Sequence, residues 1–204
     1  MALDTWLIYL VAVIGLSLAP GPNGLLALTH GVMYGHRKTL FTISGGVLGF
    51  VVLIALAMFG IGALLLASTD LLLVFKWIGG IYLIWLGIRI WRSPAIALQP
   101  VGKAVAVSQF GLFRQGALAA ITNPKVLLFF GAFLPQFIDP EKSLLSQFMV
   151  MAATFAVVEF VVEYLIARVA TKLRPWLARS GKRFNQCCGG MFALIGASLP
   201  LYNN

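Results

Sequence analysis

Three side chains with formal charge fall deep within apolar runs of this sequence: Lys125, Glu159 and Glu163. A charge at the centre of a bilayer costs about 2.5–3.5 kcal/mol on insertion scales, so each should face the protein interior and find a partner. Glu159 and Glu163 are four residues apart, which puts both on one face of a helix. Two carboxyls one turn apart in apolar surroundings resist ionising together, so one can hold a proton near neutral pH and release it when its access changes. Lys125 can pair with either carboxylate or meet an anionic group on a solute. The plainer alternative is structural: Lys125 paired with one glutamate, and the other glutamate reaching toward a surface.

Two short stretches position these charges. Pro20-Gly21-Pro22-Asn23 interrupts an apolar run from Trp6 to Met33, and Thr122-Asn123-Pro124-Lys125 interrupts another. A membrane helix must satisfy its own backbone, since lipid offers no hydrogen-bond partners. Prolines remove donors and glycine loosens the chain. Asn23 and Asn123 each supply both a donor and an acceptor beside the carbonyls left over. Such breaks are tolerated where they line a cavity, and many secondary transporters hold their substrate there. Pro22 and Pro124 lie half of the 204-residue chain apart. Two proline kinks without a site would not call for the polar neighbours.

Hydrophobic residues make up 60% of the chain and charged residues 10%, with a mean hydropathy of +0.95. Soluble domains carry about 25% charged residues, so the composition predicts an integral membrane protein. A spanning helix needs about 20 mainly apolar residues. Six candidates occur: 6–33 (broken at 20–23), 40–67, 72–91, 111–135, 146–167 and 185–201. Most of the fifteen Lys and Arg residues fall in three expected loops. These are Arg37 and Lys38; Arg89, Arg92, Lys103 and Arg114; and Arg168, Lys172, Arg174, Arg179, Lys182 and Arg183. The positive-inside rule places these loops in the cytoplasm and both termini outside. The net charge of +9 is thus a topology signal, not a nucleic-acid groove. The expected architecture is all-α: one transmembrane domain over 1–204, with six helices as a 3+3 inverted-topology repeat and helices 1 and 4 broken. The first repeat covers about 1–92, a linker with Pro94 and Pro100 about 93–110, and the second repeat about 111–204.

The remaining chemistry is sparse. Cys187 and Cys188 are adjacent and read as small apolar residues; no spaced Cys/His set suggests a metal, and no cofactor is implied. His30 reads as a packing or interfacial residue, and His36 as a solvated loop residue beside Arg37. Gly45 and Gly49 form a G-x-x-x-G packing face. Neither H-E-x-x-H nor G-x-S-x-G occurs, which disfavours an enzyme. The N-terminus has no positive region and its apolar run is too long for a secretory leader, so no cleavage is expected.

Four motifs resemble a known group. Leu18-Ala19-Pro20-Gly21-Pro22-Asn23 looks like the first-helix motif of the LysE/RhtB amino-acid exporter superfamily. The run from Lys76 to Gly87 is similar to that family's third helix. Thr122-Asn123-Pro124-Lys125, with Phe133-Leu134-Pro135-Gln136-Phe137, resembles its fourth-helix motif. Val157-Val158-Glu159 resembles a fifth-helix site where relatives often carry aspartate. The resemblance spans nearly the whole chain and implies a bacterial inner-membrane exporter of amino acids or close derivatives, driven by protons. The branch linked to homoserine, threonine and other neutral amino acids looks nearest. Two departures stand near the site: Ile166 where relatives often have tyrosine, and Glu163 where they usually have an apolar residue.

A proton antiporter with alternating access follows as the expectation. Pro20, Gly21, Pro22, Asn23, Asn123, Pro124 and Lys125 would form the substrate site, and Glu159 and Glu163 the proton-coupling pair. The expected partners are an amino acid, protons and the lipid bilayer, with room for a homo-oligomer and no nucleic acid. The alternatives are a carrier for another small solute or ion, or a membrane assembly protein that transports nothing.

Overall fold

The computed structural model of the protein describes residues 1–19, 21–65, 69–92, 107–139 and 141–198. Its regular structure there is helical: α1 (Leu3–Leu18), α2 (Pro22–Tyr34), α3 (His36–Leu65), α4 (Thr69–Arg92), α5 (Gln109–Ile121), α6 (Pro124–Phe133), a 3₁₀ turn (Leu134–Phe137), α7 (Leu144–Arg168) and α8 (Ala170–Ser198). Over their described residues, the six expected apolar stretches fall on helices or broken pairs, the last of them on only the second half of α8. By length and apolarity, α3 over His36–Gly60 and α7 can each cross a membrane, and α1 with α2 qualifies as one span bent by 53°. Two or three clear spans therefore stand among the described residues.

Both breaks fall where proline places them. In the first, α1 ends at Leu18 and Gly21 is extended. Pro22 then takes the first position of α2, where its missing N–H would have had no partner. In the second, the Thr122 hydroxyl donates to the Leu118 carbonyl at 2.7 Å. Asn123 caps α6 by accepting from the Lys125 backbone N–H at 3.1 Å, and Pro124 holds the first helical position. Pro20 itself and residues 93–106 of the expected linker lie outside the described residues. Ser108 caps α5 through the Gly111 N–H at 3.0 Å, so the helix begins inside the stretch assigned to that linker.

The basic segment after α7 corrects one expectation. It is not a loop leading to a helix at 185: α8 starts at Ala170 and runs through Lys172, Arg179, Lys182 and Arg183, with Pro175 inside it. Leu173, Trp176 and Phe184 recur at helical spacing along this part, so it is an amphipathic helix. Its apolar stripe is too narrow to register as a span.

Small residues set the helix contacts. A Cβ at Gly45 would collide with the Phe113 carbonyl, and one at Gly116 with the Thr42 carbonyl. One at Gly49 would lie 2.8 Å from the Ala120 Cβ. The G-x-x-x-G face of α3 thus seats α5 backbone to backbone. Gly87 and Gly189 do the same between α4 and α8. Gly116→Leu should push α3 from α5 and cost about 3 kcal/mol, the upper end of ordinary overpacking. Thermal unfolding in detergent checks this; an unchanged midpoint would contradict so close an approach.

Phe50, Phe129, Phe130, Phe133 and Phe155 belong to one core cluster and are all essentially inaccessible. Phe129 and Phe133 lie 4.4 Å apart between ring centroids, and Phe130 and Phe155 5.0 Å. Tyr9 and Trp6 tie α1 to α7 through the Met151 carbonyl and the Thr154 hydroxyl. At the turn before α7, Gln147 accepts from the Asp139 N–H and donates to the carbonyls of Asp139 and Lys142. Lys142 lies 2.7 Å from Asp139 and, with the Glu141 N–H, holds that carboxyl below its usual range.

Candidate functional site

The two breaks meet. Lys125, in the first turn of α6, sends its ammonium across to the end of α1. There Nζ donates to the carbonyls of Leu16 at 2.9 Å and Ala19 at 2.8 Å. Those carbonyls have lost their helical partners because α1 stops at Leu18, and the helix dipole makes that end negative. The second break thus supplies the cation that satisfies the first. Gly21 leaves room for it: a Cβ there would lie 2.9 Å from Lys125 Nζ.

Around this bridge lies a small cavity bounded by Ser17, Gly21, Asn23, Asn123, Lys125 and Glu159, with Phe155 on one side. It has about 10 Å³ of space for water centres, room for about one water. Asn23, Asn123, Glu159 and Glu163 are all at least 94% buried. Among the described residues, Asn23 Oδ1, Ser17 Oγ, Glu159 Oε2 and Glu163 Oε1 make no hydrogen bond of ordinary geometry, although Ser17 and Glu163 both lie against Glu159. Unsatisfied buried oxygens are costly, and those of Ser17, Asn23 and Glu159, which line the cavity with Lys125, suit a guest that brings donors.

Most of the residues singled out by sequence therefore come together. Gly21, Asn23, Asn123, Lys125 and Glu159 line the cavity. Glu163 does not line it; it sits one turn further along α7, beside Glu159. A Cβ on Gly46 would lie 2.9 Å from Asn23 Nδ2 and 3.8 Å from Glu163 Oε2. Pro22 and Pro124 shape the site by starting α2 and α6.

Ser17 and Gly46 escaped the sequence reading as site residues. Ser17 carries a faint signal, a hydroxyl in the apolar second half of α1, three residues before Pro20. Gly46 looks like any other packing glycine. His30 is a packing residue: it is buried, with Nδ1 2.8 Å from the Thr42 hydroxyl and its ring edge-on to Tyr34. His36 is not simply solvated, as its position beside Arg37 suggested. It is half-buried at the head of α3, with its ring 6.1 Å from Tyr164.

A helical membrane protein whose broken helices enclose buried, unpaired polar groups is built as a solute translocator. The chain belongs to the LysE type translocator family, whose model matches residues 14–203. It is 34% identical over 202 residues to the homoserine/homoserine lactone efflux protein of Salmonella typhimurium, covering 98% of this chain and 97% of that one. It is 31% identical over 156 residues to the leucine efflux protein of Klebsiella pneumoniae, covering 76% and 74%. An uncharacterized membrane protein of Vibrio cholerae is 35% identical over 201 residues, covering 98% of each. No solved structure matches.

Proposed function

We propose that this protein exports neutral amino acids across a bacterial inner membrane in exchange for protons, by alternating access around the two breaks. The observation that carries this is the Lys125 bridge between the breaks, set among buried oxygens without partners. Homoserine, homoserine lactone and leucine, named for the two efflux relatives, share an α-amino group, and the two free acids share an α-carboxylate as well. That common part is what a site with one cation, two carboxyls and two asparagines would recognise.

A zwitterion needs a partner at each end. Its carboxylate would meet the free N–H groups at the start of α2, where the dipole is positive, and would draw Lys125 away from the α1 carbonyls. Its ammonium would meet Glu159, Asn23 Oδ1 and the carbonyls that Lys125 releases. Proton entry at Glu159, with Glu163 as the neighbouring store, would compete with the ammonium and so couple export to proton import.

The proposed topology has six spans in two inverted halves, both termini in the periplasm and the basic segments in the cytoplasm. Helix pairing supports it. α4 packs on α8, the third span of each half; α3 packs on α5, and α7 on α2, a reciprocal exchange of second and first spans. In this orientation the phenylalanine cluster seals the site from the periplasm.

Counterflow tests the proposal. Purified protein in liposomes loaded with an unlabelled neutral amino acid should take up the labelled form. Asn23→Ala and Asn123→Ala should each lower that rate tenfold or more while the protein stays folded. Folded protein that exchanges no amino acid in a broad panel would sink the reading.

A further inference from the structure

The polar cavity holds about one water, so it cannot enclose a whole amino acid, and the side chain must go elsewhere. The space next to it is apolar. Leu25 and Leu28 of α2, Ile166 of α7, and Leu173, Trp176 and Phe184 of α8 surround a pocket of about 290 Å³. Ser17, Ala19 and Gly24 border both spaces. Gly24 forms a low partition: a Cβ there would still be 4.0 Å from Ile166 Cδ1, its nearest neighbour. An apolar cavity of about 150 Å³ is enough to take up benzene, and this one is roughly twice that size.

We infer that this pocket is the side-chain subsite of the transporter and selects neutral amino acids with extended or branched apolar side chains. The inference rests on the amino-acid reading and narrows its substrate class. The α-amino and α-carboxylate groups would sit at Lys125, Asn23 and Glu159. The side chain would pass over Gly24 into the pocket, which contributes apolar walls and no charged group. Ile166 forms the wall on α7 nearest the partition and sets the depth. The same pocket makes the amphipathic start of α8 part of the site. Leu173 and Trp176 line the pocket from α8; Trp176 is 46% exposed and sits edge-on to Phe184 at 5.9 Å between ring centroids. Ser17 is the one hydroxyl on the described lining and stands at the entrance, so a polar group carried deeper into the pocket would be left without a partner, which disfavours it.

Competition across an unbranched series tests this. Protein in liposomes is assayed for counterflow of labelled alanine and, separately, labelled leucine, each competed by alanine, 2-aminobutyrate, norvaline and norleucine. Apparent affinity should rise about fourfold with each added methylene, the ordinary measure of apolar burial, and serine should compete no better than alanine. Ile166→Phe, which shortens the pocket, should shift the norleucine-to-alanine affinity ratio tenfold or more toward alanine. Ile166→Ala, which removes bulk where Phe adds it, should leave that preference for long chains in place and extend it to bulkier aromatic side chains. A flat series in protein that does exchange alanine would overturn the subsite and leave the pocket to a lipid chain. So would an Ile166→Phe variant that weakens every competitor equally. No exchange of any amino acid would remove the reading beneath it, and the subsite with it.

Discussion

Replacing Lys125 by methionine is expected to abolish exchange and to cost about 3–5 kcal/mol of stability, the usual penalty for removing one member of a buried charged network. The side chains have similar length, so shape changes little. What disappears is the ammonium that donates to the Leu16 and Ala19 carbonyls and the only positive charge near Glu159 and Glu163 among the described residues. The ends of α1 and α6 would lose their link, and two carboxyls would face one another without a cation. Thermal unfolding in detergent reads the first effect and counterflow the second. Lys125→Arg separates them: it keeps the charge and should recover much of the stability, while the larger planar fork should still impair exchange. A Lys125→Met protein with normal melting and normal exchange would show that the bridge is incidental.

Glu159→Gln is expected to uncouple the carrier. Glutamine matches the carboxyl in size and keeps an acceptor, so the fold and some exchange at saturating substrate should survive. It cannot bind and release a proton, so the response to a pH gradient should fall at least tenfold. Glu163→Gln should have a smaller effect, because Glu163 lies one turn away from the cavity and reaches it through Glu159. If instead Glu163→Gln abolishes the gradient response and Glu159→Gln leaves it intact, the order of the two proton sites is reversed.

Much of this site can be read in the sequence because a membrane makes polarity and broken backbone expensive. Proline within an apolar run marks where helices must stop, and Pro22 and Pro124 do occupy the first turns of α2 and α6. Asn23, Asn123, Lys125 and Glu159 stand out because each needs a buried partner. The partner itself is not legible. Lys125 looks like half of an ion pair with a glutamate, yet its ammonium donates to backbone carbonyls, which carry no signature in residue types. Ser17 and Gly46 are hidden for a related reason: one hydroxyl and one glycine are common in membrane helices, and only the fold shows what stands opposite them. The extent of α8 is missed because its first half is amphipathic and basic, and charge clusters of that kind read as loops when only long apolar runs are sought. The apolar pocket depends on four helices meeting, which no local pattern reveals.

Gradient-driven uptake tests the central claim most directly. Proteoliposomes with an acidic interior are diluted into alkaline buffer containing a labelled neutral amino acid, beside protein-free liposomes and Glu159→Gln protein. A proton antiporter lets protons leave and drives the amino acid inward. The wild-type vesicles should therefore accumulate label above the external concentration, a protonophore should discharge it, and Glu159→Gln vesicles should reach only the external level. Wild-type uptake that stops at the external concentration with or without the gradient, from protein that exchanges the same amino acid, would contradict proton-coupled export.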